Sequence, residues 1–162
     1  MSDRAVKWAA AVVALLVTAS VQANLPSVPV LGGLRADWLA AAVTYAAMSS
    51  RSLAGGLMWA VGIGWLQEAM SAAPVGAISG AYLVATTGLW FGRRWLDRGQ
   101  LLVQWLAGGW VMLVAGTVAL GLTGVSAVAL WRLVTLVTLN ATVTVLVFLV
   151  VDLARMHLGW ES

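Results

Sequence analysis

The chain has 162 residues and no cysteine; 62% of its residues are hydrophobic, only 9% are charged, and its mean hydropathy is +0.94. This balance excludes an ordinary soluble domain, a disulfide and a thiolate metal site, and it is typical of an integral membrane protein. Nine basic residues against six acidic ones favour anionic lipid headgroups over nucleic acid as the binding partner.

Six apolar blocks follow one another along the chain, separated by residues that break or turn helices. Because about 20 apolar residues cross a bilayer as a helix, the length allows six spans and no soluble domain. We therefore predict one all-α membrane domain, a compact bundle of six transmembrane helices at about 8–23, 30–48, 53–70, 76–91, 101–122 and 125–151. The clearly apolar part of the second block is too short to span alone. It therefore starts earlier, near residue 30, or lies tilted beside a partly embedded loop.

Basic residues orient this bundle, because Lys and Arg accumulate in cytoplasmic loops. With six spans, one side of the membrane receives Arg4, Lys7, Arg51, Arg93, Arg94, Arg98 and Arg155. Arg35 falls on the other side. We predict that both termini are cytoplasmic. A second interpretation of the first block is a secretory signal peptide, since its basic start, apolar core and Val21-Gln22-Ala23 resemble such a segment with its cleavage site.

Two charged side chains fall inside apolar blocks, Glu68 near the end of the third and Arg132 near the start of the sixth. In the six-span topology both lie toward the outer face. An unpaired charge at membrane depth costs about 3 kcal/mol on insertion scales, so we predict an intramembrane ion pair between Glu68 and Arg132. The alternative is that each side chain reaches the outer headgroups separately.

The other polar residues suggest structural roles. Asp37 opens the second block and is placed to cap its helix. Gln67, Gln104 and Asn140 are suited to hydrogen bonds between helices, and His157 has no second metal ligand at a suitable spacing. Without a catalytic set of residues or a phosphate-binding loop, we predict a non-enzyme that needs no cofactor or metal. A membrane scaffold, a small-molecule-binding subunit of a transporter and an intramembrane enzyme with an unfamiliar site stay open.

Four glycines of the fourth block recur at multiples of four: Gly76, Gly80, Gly88 and Gly92. This spacing places them on one ridge of a helix, where a second helix backbone approaches closely. The pattern predicts a packing surface for another helix of this chain or, alternatively, for a partner protein.

The run from Gly62 to Gly76, GIGWLQEAMSAAPVG, resembles the signature of the rod shape-determining protein MreD family. It has a glycine-led apolar helix, an acid at Glu68, and then Ser, Pro and Gly at offsets of three, six and eight. Upstream, Asp37 opens an apolar segment as in the family. The sequence departs from the family pattern in carrying Glu68 where Asp is more frequent. The resemblance marks the following signature positions: Asp37, Glu68, Ser71, Pro74 and Gly76.

This resemblance implies a fold similar to the membrane-embedded substrate-binding subunits of energy-coupling-factor transporters. It also implies a non-enzymatic scaffold of the bacterial cell-elongation machinery, located in the cytoplasmic (inner) membrane. The implied partners are MreC, directly, and the MreB filament and the peptidoglycan glycosyltransferase and transpeptidase of elongation, directly or indirectly. The loop 93–98 is a candidate contact for a filament or anionic lipid, although anchoring the topology is the favoured role.

The runner-up function is a vitamin-binding subunit of an energy-coupling-factor type transporter. Such a subunit needs a pocket with convergent polar groups, of which this chain has few. A roomy polar cavity open to the outside would favour transport. A closed core with an apolar groove on its flank would favour a scaffold.

Overall fold

The computed structural model describes residues 3–24, 36–71, 74–123 and 126–157. Within these ranges the chain forms helices and no strand, which confirms the predicted all-α class. The helices are α1 (Asp3–Asn24), α2 (Trp38–Ser49), α3 (Leu53–Ala69), α4 (Ala77–Gly92), α5 (Leu101–Thr123) and α6 (Ala127–His157). One helix lies at each of the six predicted segments. Arg35 and the predicted start of the second segment at residue 30 lie outside the described residues.

The shortest helix, α2, occupies the centre of the bundle and contacts each of the other five helices. Its side chains at Leu39 and Val43 are almost completely buried, and they belong to a core that also contains Ile63, Tyr82 and Val111. Alanines of α2 fill the remaining contacts, because small side chains let neighbouring helices approach closely. The composition of α2 therefore explains its central position.

The starts of α2, α3, α4 and α6 each have specific hydrogen-bond partners, since the first backbone N–H groups of a helix lack partners within it. Asp37 Oδ1 accepts from Ala40 N at 2.9 Å at the start of α2, as predicted for a capping carboxylate. The hydroxyl of Ser52 caps α3 and that of Ser126 caps α6. The residue before α4 is Gly76, whose φ of +87° is readily adopted only by glycine. Glycine has no side chain to accept a hydrogen bond, so the first N–H groups of α4 need an acceptor from another residue.

The outside of the bundle is strongly apolar. Among the exposed side chains are Val13, Leu16, Met58, Trp65, Val84, Phe91, Leu102, Trp131, Val134, Leu149 and Val150. Two helices, α5 and α6, are long and apolar enough to cross a membrane. The 12 residues of α2 extend over about 18 Å, well short of the roughly 30 Å of a bilayer core.

The predicted glycine ridge of α4 does not receive another helix backbone within the described chain. A β-carbon added at Gly76 or Gly80 would meet nothing within 4 Å. Gly88 is covered by the indole of Trp110 from α5, whose Nε1 donates to Ala85 O at 3.1 Å. At Gly88 the Trp110 side chain therefore occupies the space in which the glycine spacing predicted a second helix backbone. Use of the ridge by a partner protein stays a prediction.

A close approach of two helix backbones occurs elsewhere, at Gly64 of α3. A β-carbon built on Gly64 would lie 2.6 Å from Ser79 Cα of α4, a distance that real β-carbons do not show. On α5, Gly108 lies against the side chain of Thr144 and Gly116 against that of Leu133, both from α6. Glycine thus permits the α3/α4 and α5/α6 pairs to pack tightly.

The turn between α4 and α5 is fastened to the bundle. Arg93 donates to Ser50 O at 2.7 Å and lies over the Trp90 ring. Arg98 forms an ion pair with Asp152 at 3.1 Å, and the Tyr45 hydroxyl donates to the same carboxylate oxygen. Arg93 and Arg98 therefore attach this turn to α2 and α6. The exposed residues of this turn are Arg94, Trp95, Asp97, Gly99 and Gln100.

Candidate functional site

Polar side chains converge on Asp37, the residue before α2; Tyr82 and Asn140 are buried, and Gln67 is half-buried. Its Oδ2 accepts from Gln67 Nε2 at 3.1 Å and from the Tyr82 hydroxyl at 3.3 Å. Its backbone N–H donates to Asn140 Oδ1 at 2.6 Å. The start of α2 is thereby tied to α3, α4 and α6 at one point.

A side chain from α1 completes this set. Gln22 Nε2 donates to Gln67 Oε1 at 3.0 Å, and Gln22 Oε1 accepts from Leu39 N at 3.1 Å. The Asp37 network therefore consists of Gln22, Asp37, Gln67, Tyr82 and Asn140. Asp37 Oδ2 and both ends of the Gln67 amide have partners within the network, and Asp37 Oδ1 accepts from Ala40 N, so these polar groups are satisfied within the protein.

The Asp37 network lies deep along the bundle rather than at its end. Asn140 is about 20 Å from Ala127 and about 26 Å from His157 at 1.5 Å per residue of α6. The network is therefore near the middle of the longest helix. Because α2 begins at this level, its shortness follows from where it starts, and a carboxylate is placed far from either end of α6.

Glu68 caps the start of α4, because Gly76 has no side chain to do so. Its Oε1 accepts from Ile78 N at 2.9 Å and from both the backbone N, at 2.8 Å, and hydroxyl, at 3.0 Å, of Ser79. Its Oε2 accepts from Gly76 N at 3.0 Å. The side chain is only 8% exposed, and its charge faces the positive end of the α4 dipole.

The predicted ion pair between Glu68 and Arg132 is not formed in the described structure. The backbone and Ser79 donors at the start of α4 already offset the Glu68 charge, so a guanidinium is not required. Arg132 is exposed on α6, and it forms none of the hydrogen bonds or ion pairs found among the described residues.

The remaining signature residues form the turn that carries this arrangement. Ser71 N donates to Glu68 O at 3.1 Å, and Pro74 O accepts from Ala77 N at 3.1 Å. Gly76 then supplies the left-handed backbone conformation before α4. Together with Glu68 these residues connect α3 to α4 in one fixed geometry.

Replacing Glu68 by glutamine is expected to loosen the start of α4, because one acceptor oxygen becomes an NH₂ group that faces N–H donors. Hydrogen exchange at Gly76, Ile78 and Ser79 should become about tenfold faster, since local opening exposes these amides. Peptide-resolved exchange by mass spectrometry would measure this. Thr87→Val is the control, because it removes a side-chain hydrogen bond to Leu83 O in the same helix. Unchanged protection in the Glu68→Gln variant would contradict the capping role.

A cavity of about 390 Å³ extends from the Asp37 network between α5 and α6 toward the start of α6. Asp37, Gln67 and Tyr82 line its deep end. Arg132 lines it about 12 Å above Asn140 along α6. The other lining residues are mainly apolar: Ile78, Met112, Ala115, Gly116, Ala119, Leu120, Ser126, Val128, Ala129, Leu133 and Leu136. We refer to this space as the Arg132 cavity.

A second, more apolar depression lies on the flank of the bundle among α1, α2, α3 and α6, with a volume of about 510 Å³. We refer to it as the flank groove. Small residues of α1 and α2 line much of it, including Ala11, Ala14, Ala42, Ala46 and Ser49. Small side chains on a lipid-facing surface allow another helix to approach closely.

Comparison of the chain with protein-family models, with characterised proteins and with solved structures gave no match. Among the described residues there is no group of three or more potential metal ligands. The functional interpretation therefore depends on the residues and geometry of this chain.

Sequence reasoning identified Asp37, Gln67 and Asn140 individually but did not bring them together. It did not single out Tyr82 at all, and it considered Gln22 only within a possible cleavage site. A signal was available, because α1 ends, α2 begins and α3 ends at the same side of an antiparallel bundle. The polar residues of these three termini were therefore predictable as lying on one side of the bundle, although not at one depth.

Proposed function

We propose that this chain is an MreD-like, non-enzymatic scaffold of the bacterial cell-elongation machinery. The observation that carries the proposal is the run from Gly62 to Gly76, whose acid, serine, proline and glycine have the spacing of the family signature. These residues also lie together in the structure, where they form the capped turn between α3 and α4.

The proposed location is the cytoplasmic membrane, with six spans and both termini in the cytoplasm. The apolar exterior supports it, because such a surface would be unfavourable in water. So do α5 and α6, which have the length and hydropathy of membrane spans. The shorter helices α2, α3 and α4 complete the crossing together with their adjoining turns.

The proposed partner is MreC, whose membrane helix would occupy the flank groove. Association of helices within a membrane depends on close packing rather than on the hydrophobic effect. The small residues of the flank groove provide such a surface, and its lining has few polar groups. In this arrangement the bundle would hold MreC next to the elongation enzymes.

The Arg132 cavity is the observation that favours the second candidate, a vitamin-binding transporter subunit. Its volume falls in the range of small-molecule sites. However, the polar groups at its deep end already bond to one another, so few remain to select a soluble ligand. The scaffold therefore remains the better supported function.

Gentle purification of the tagged protein from its native membrane, followed by mass spectrometry, tests the two functions against each other. Recovery of MreC and the elongation glycosyltransferase or transpeptidase is the expected result. Recovery of an ATPase module with its membrane coupling subunit would instead establish transport and exclude the scaffold.

Replacing Ala46 by phenylalanine is expected to reduce the recovery of MreC at least about fivefold, because the ring fills the flank groove and disrupts close packing. Ala54→Phe is the matched control, since Ala54 is exposed on α3 and does not line the groove. Quantitative mass spectrometry of the co-purified partner measures the difference. Equal recovery with both variants would place the MreC contact elsewhere on the bundle.

A further inference from the structure

The Arg132 cavity combines one cation with a long apolar wall. The backbone of Arg132 lies about 8 Å along α6 from Ala127, which in the proposed six-span topology is near the depth at which a bilayer changes from headgroups to hydrocarbon. No carboxylate of the described chain forms an ion pair with it, and Glu68 is bound to the start of α4. A long arginine side chain at this depth is able to reach the anionic groups of lipid headgroups.

The walls below Arg132 are suited to a hydrocarbon chain. Met112, Leu120, Leu133 and Leu136 line the cavity with aliphatic surface. At its deep end the Asp37 network satisfies its own hydrogen bonds, so it requires no polar group from a ligand. An alkyl chain lying in this space would gain dispersion contacts with these side chains.

We propose that the Arg132 cavity binds one anionic phospholipid from the leaflet at the start of α6. The phosphate is held by the planar donor fork of Arg132, and one acyl chain lies between α5 and α6. A guanidinium binds phosphate bidentately, which explains a preference for an anionic headgroup over a zwitterionic one, whose own cation competes for the phosphate. This inference rests on the membrane location proposed above, but not on the identity of the protein partner.

Native mass spectrometry of the full chain in detergent, with added lipids, tests the proposal. The probes are phosphatidylglycerol and phosphatidylcholine with identical acyl chains, diacylglycerol, and inorganic phosphate. One phosphatidylglycerol should bind about tenfold more tightly than phosphatidylcholine, because the choline cation competes with Arg132 for the phosphate and the glycerol headgroup carries no such cation. Diacylglycerol should bind weakly, and inorganic phosphate should not displace the lipid.

Two variants separate the headgroup from the acyl chain. Arg132→Gln should reduce the affinity for phosphatidylglycerol to that for phosphatidylcholine. Ala129→Phe should weaken both lipids, because it fills the cavity and leaves Arg132 in place. The control is Arg51→Gln, which makes the same charge change at an exposed residue between α2 and α3, outside the cavity lining, and should leave binding unchanged.

Several outcomes would overturn the proposal. They are wild-type binding of phosphatidylglycerol by Arg132→Gln, an equal loss with Arg51→Gln, or displacement of the lipid by inorganic phosphate. None of these would affect co-purification of MreC, so failure of the lipid site is distinguishable from failure of the scaffold. Recovery of the protein outside the membrane fraction would remove the basis of both.

Discussion

Replacing Asp37 by alanine should destabilise the bundle by about 3 kcal/mol. The substitution leaves Ala40 N, Gln67 Nε2 and the Tyr82 hydroxyl without their shared acceptor deep in the protein. A buried donor that loses its partner costs more than the hydrogen bond itself contributes. Unfolding in mixed micelles of increasing SDS content, followed by tryptophan fluorescence, would measure the change.

Asp97→Ala is the matched control for this experiment. The Asp97 carboxylate accepts a single bond from Gly99 N in an exposed turn, so its loss should change the free energy of unfolding by less than about 0.5 kcal/mol. Asp37→Asn, which retains the shape and one acceptor oxygen, should lie between the two. Equal stability of Asp37→Ala and wild type would show that the Asp37 network contributes nothing to folding.

Substituting alanine for Gly64 is the second change with a large expected effect, a loss of about 2 kcal/mol. The added methyl group would lie 2.6 Å from Ser79 Cα, and backbone cannot rotate away as a flexible side chain does. Helices α3 and α4 would have to separate, and the carboxylate of Glu68 would then move away from its donors. The same unfolding assay measures this loss.

Gly62→Ala makes the identical chemical change one half-turn earlier in α3. A β-carbon at Gly62 meets nothing within 4 Å, so this variant should be neutral or stabilised by up to about 1 kcal/mol through helix propensity. The comparison isolates contact with α4 from the general effect of replacing glycine. If both variants behaved alike, the close approach of α3 to α4 would be refuted.

The fold was predictable because each apolar block is bounded by residues that stop helices. Helices α3 and α5 begin at Leu53 and Leu101, where the predicted segments begin. The short α2 was also visible in the sequence, since its apolar part is too brief to cross a bilayer. Its central position was not, because that depends on contacts with five other helices.

The site was only partly predictable. The Glu68–Arg132 ion pair followed from the cost of isolated charges, but that reasoning counted only side chains as partners. It overlooked the free N–H groups at the start of α4, which a carboxylate eight residues before Gly76 is able to reach. The Asp37 network required the relative depth of five helices, and a single sequence gives no such register.

The fastened turn between α4 and α5 has a mechanical consequence. A load applied to this turn would pass through Arg93 to the carbonyl of Ser50 at the end of α2, and through Arg98 to Asp152 of α6. Because α2 is bonded at its other end to α3, α4 and α6 through Asp37, strain would spread across the bundle instead of bending one loop. Hydrogen bonds and an ion pair thus connect the α4/α5 turn, through α2, to the Asp37 network at the other end of that helix.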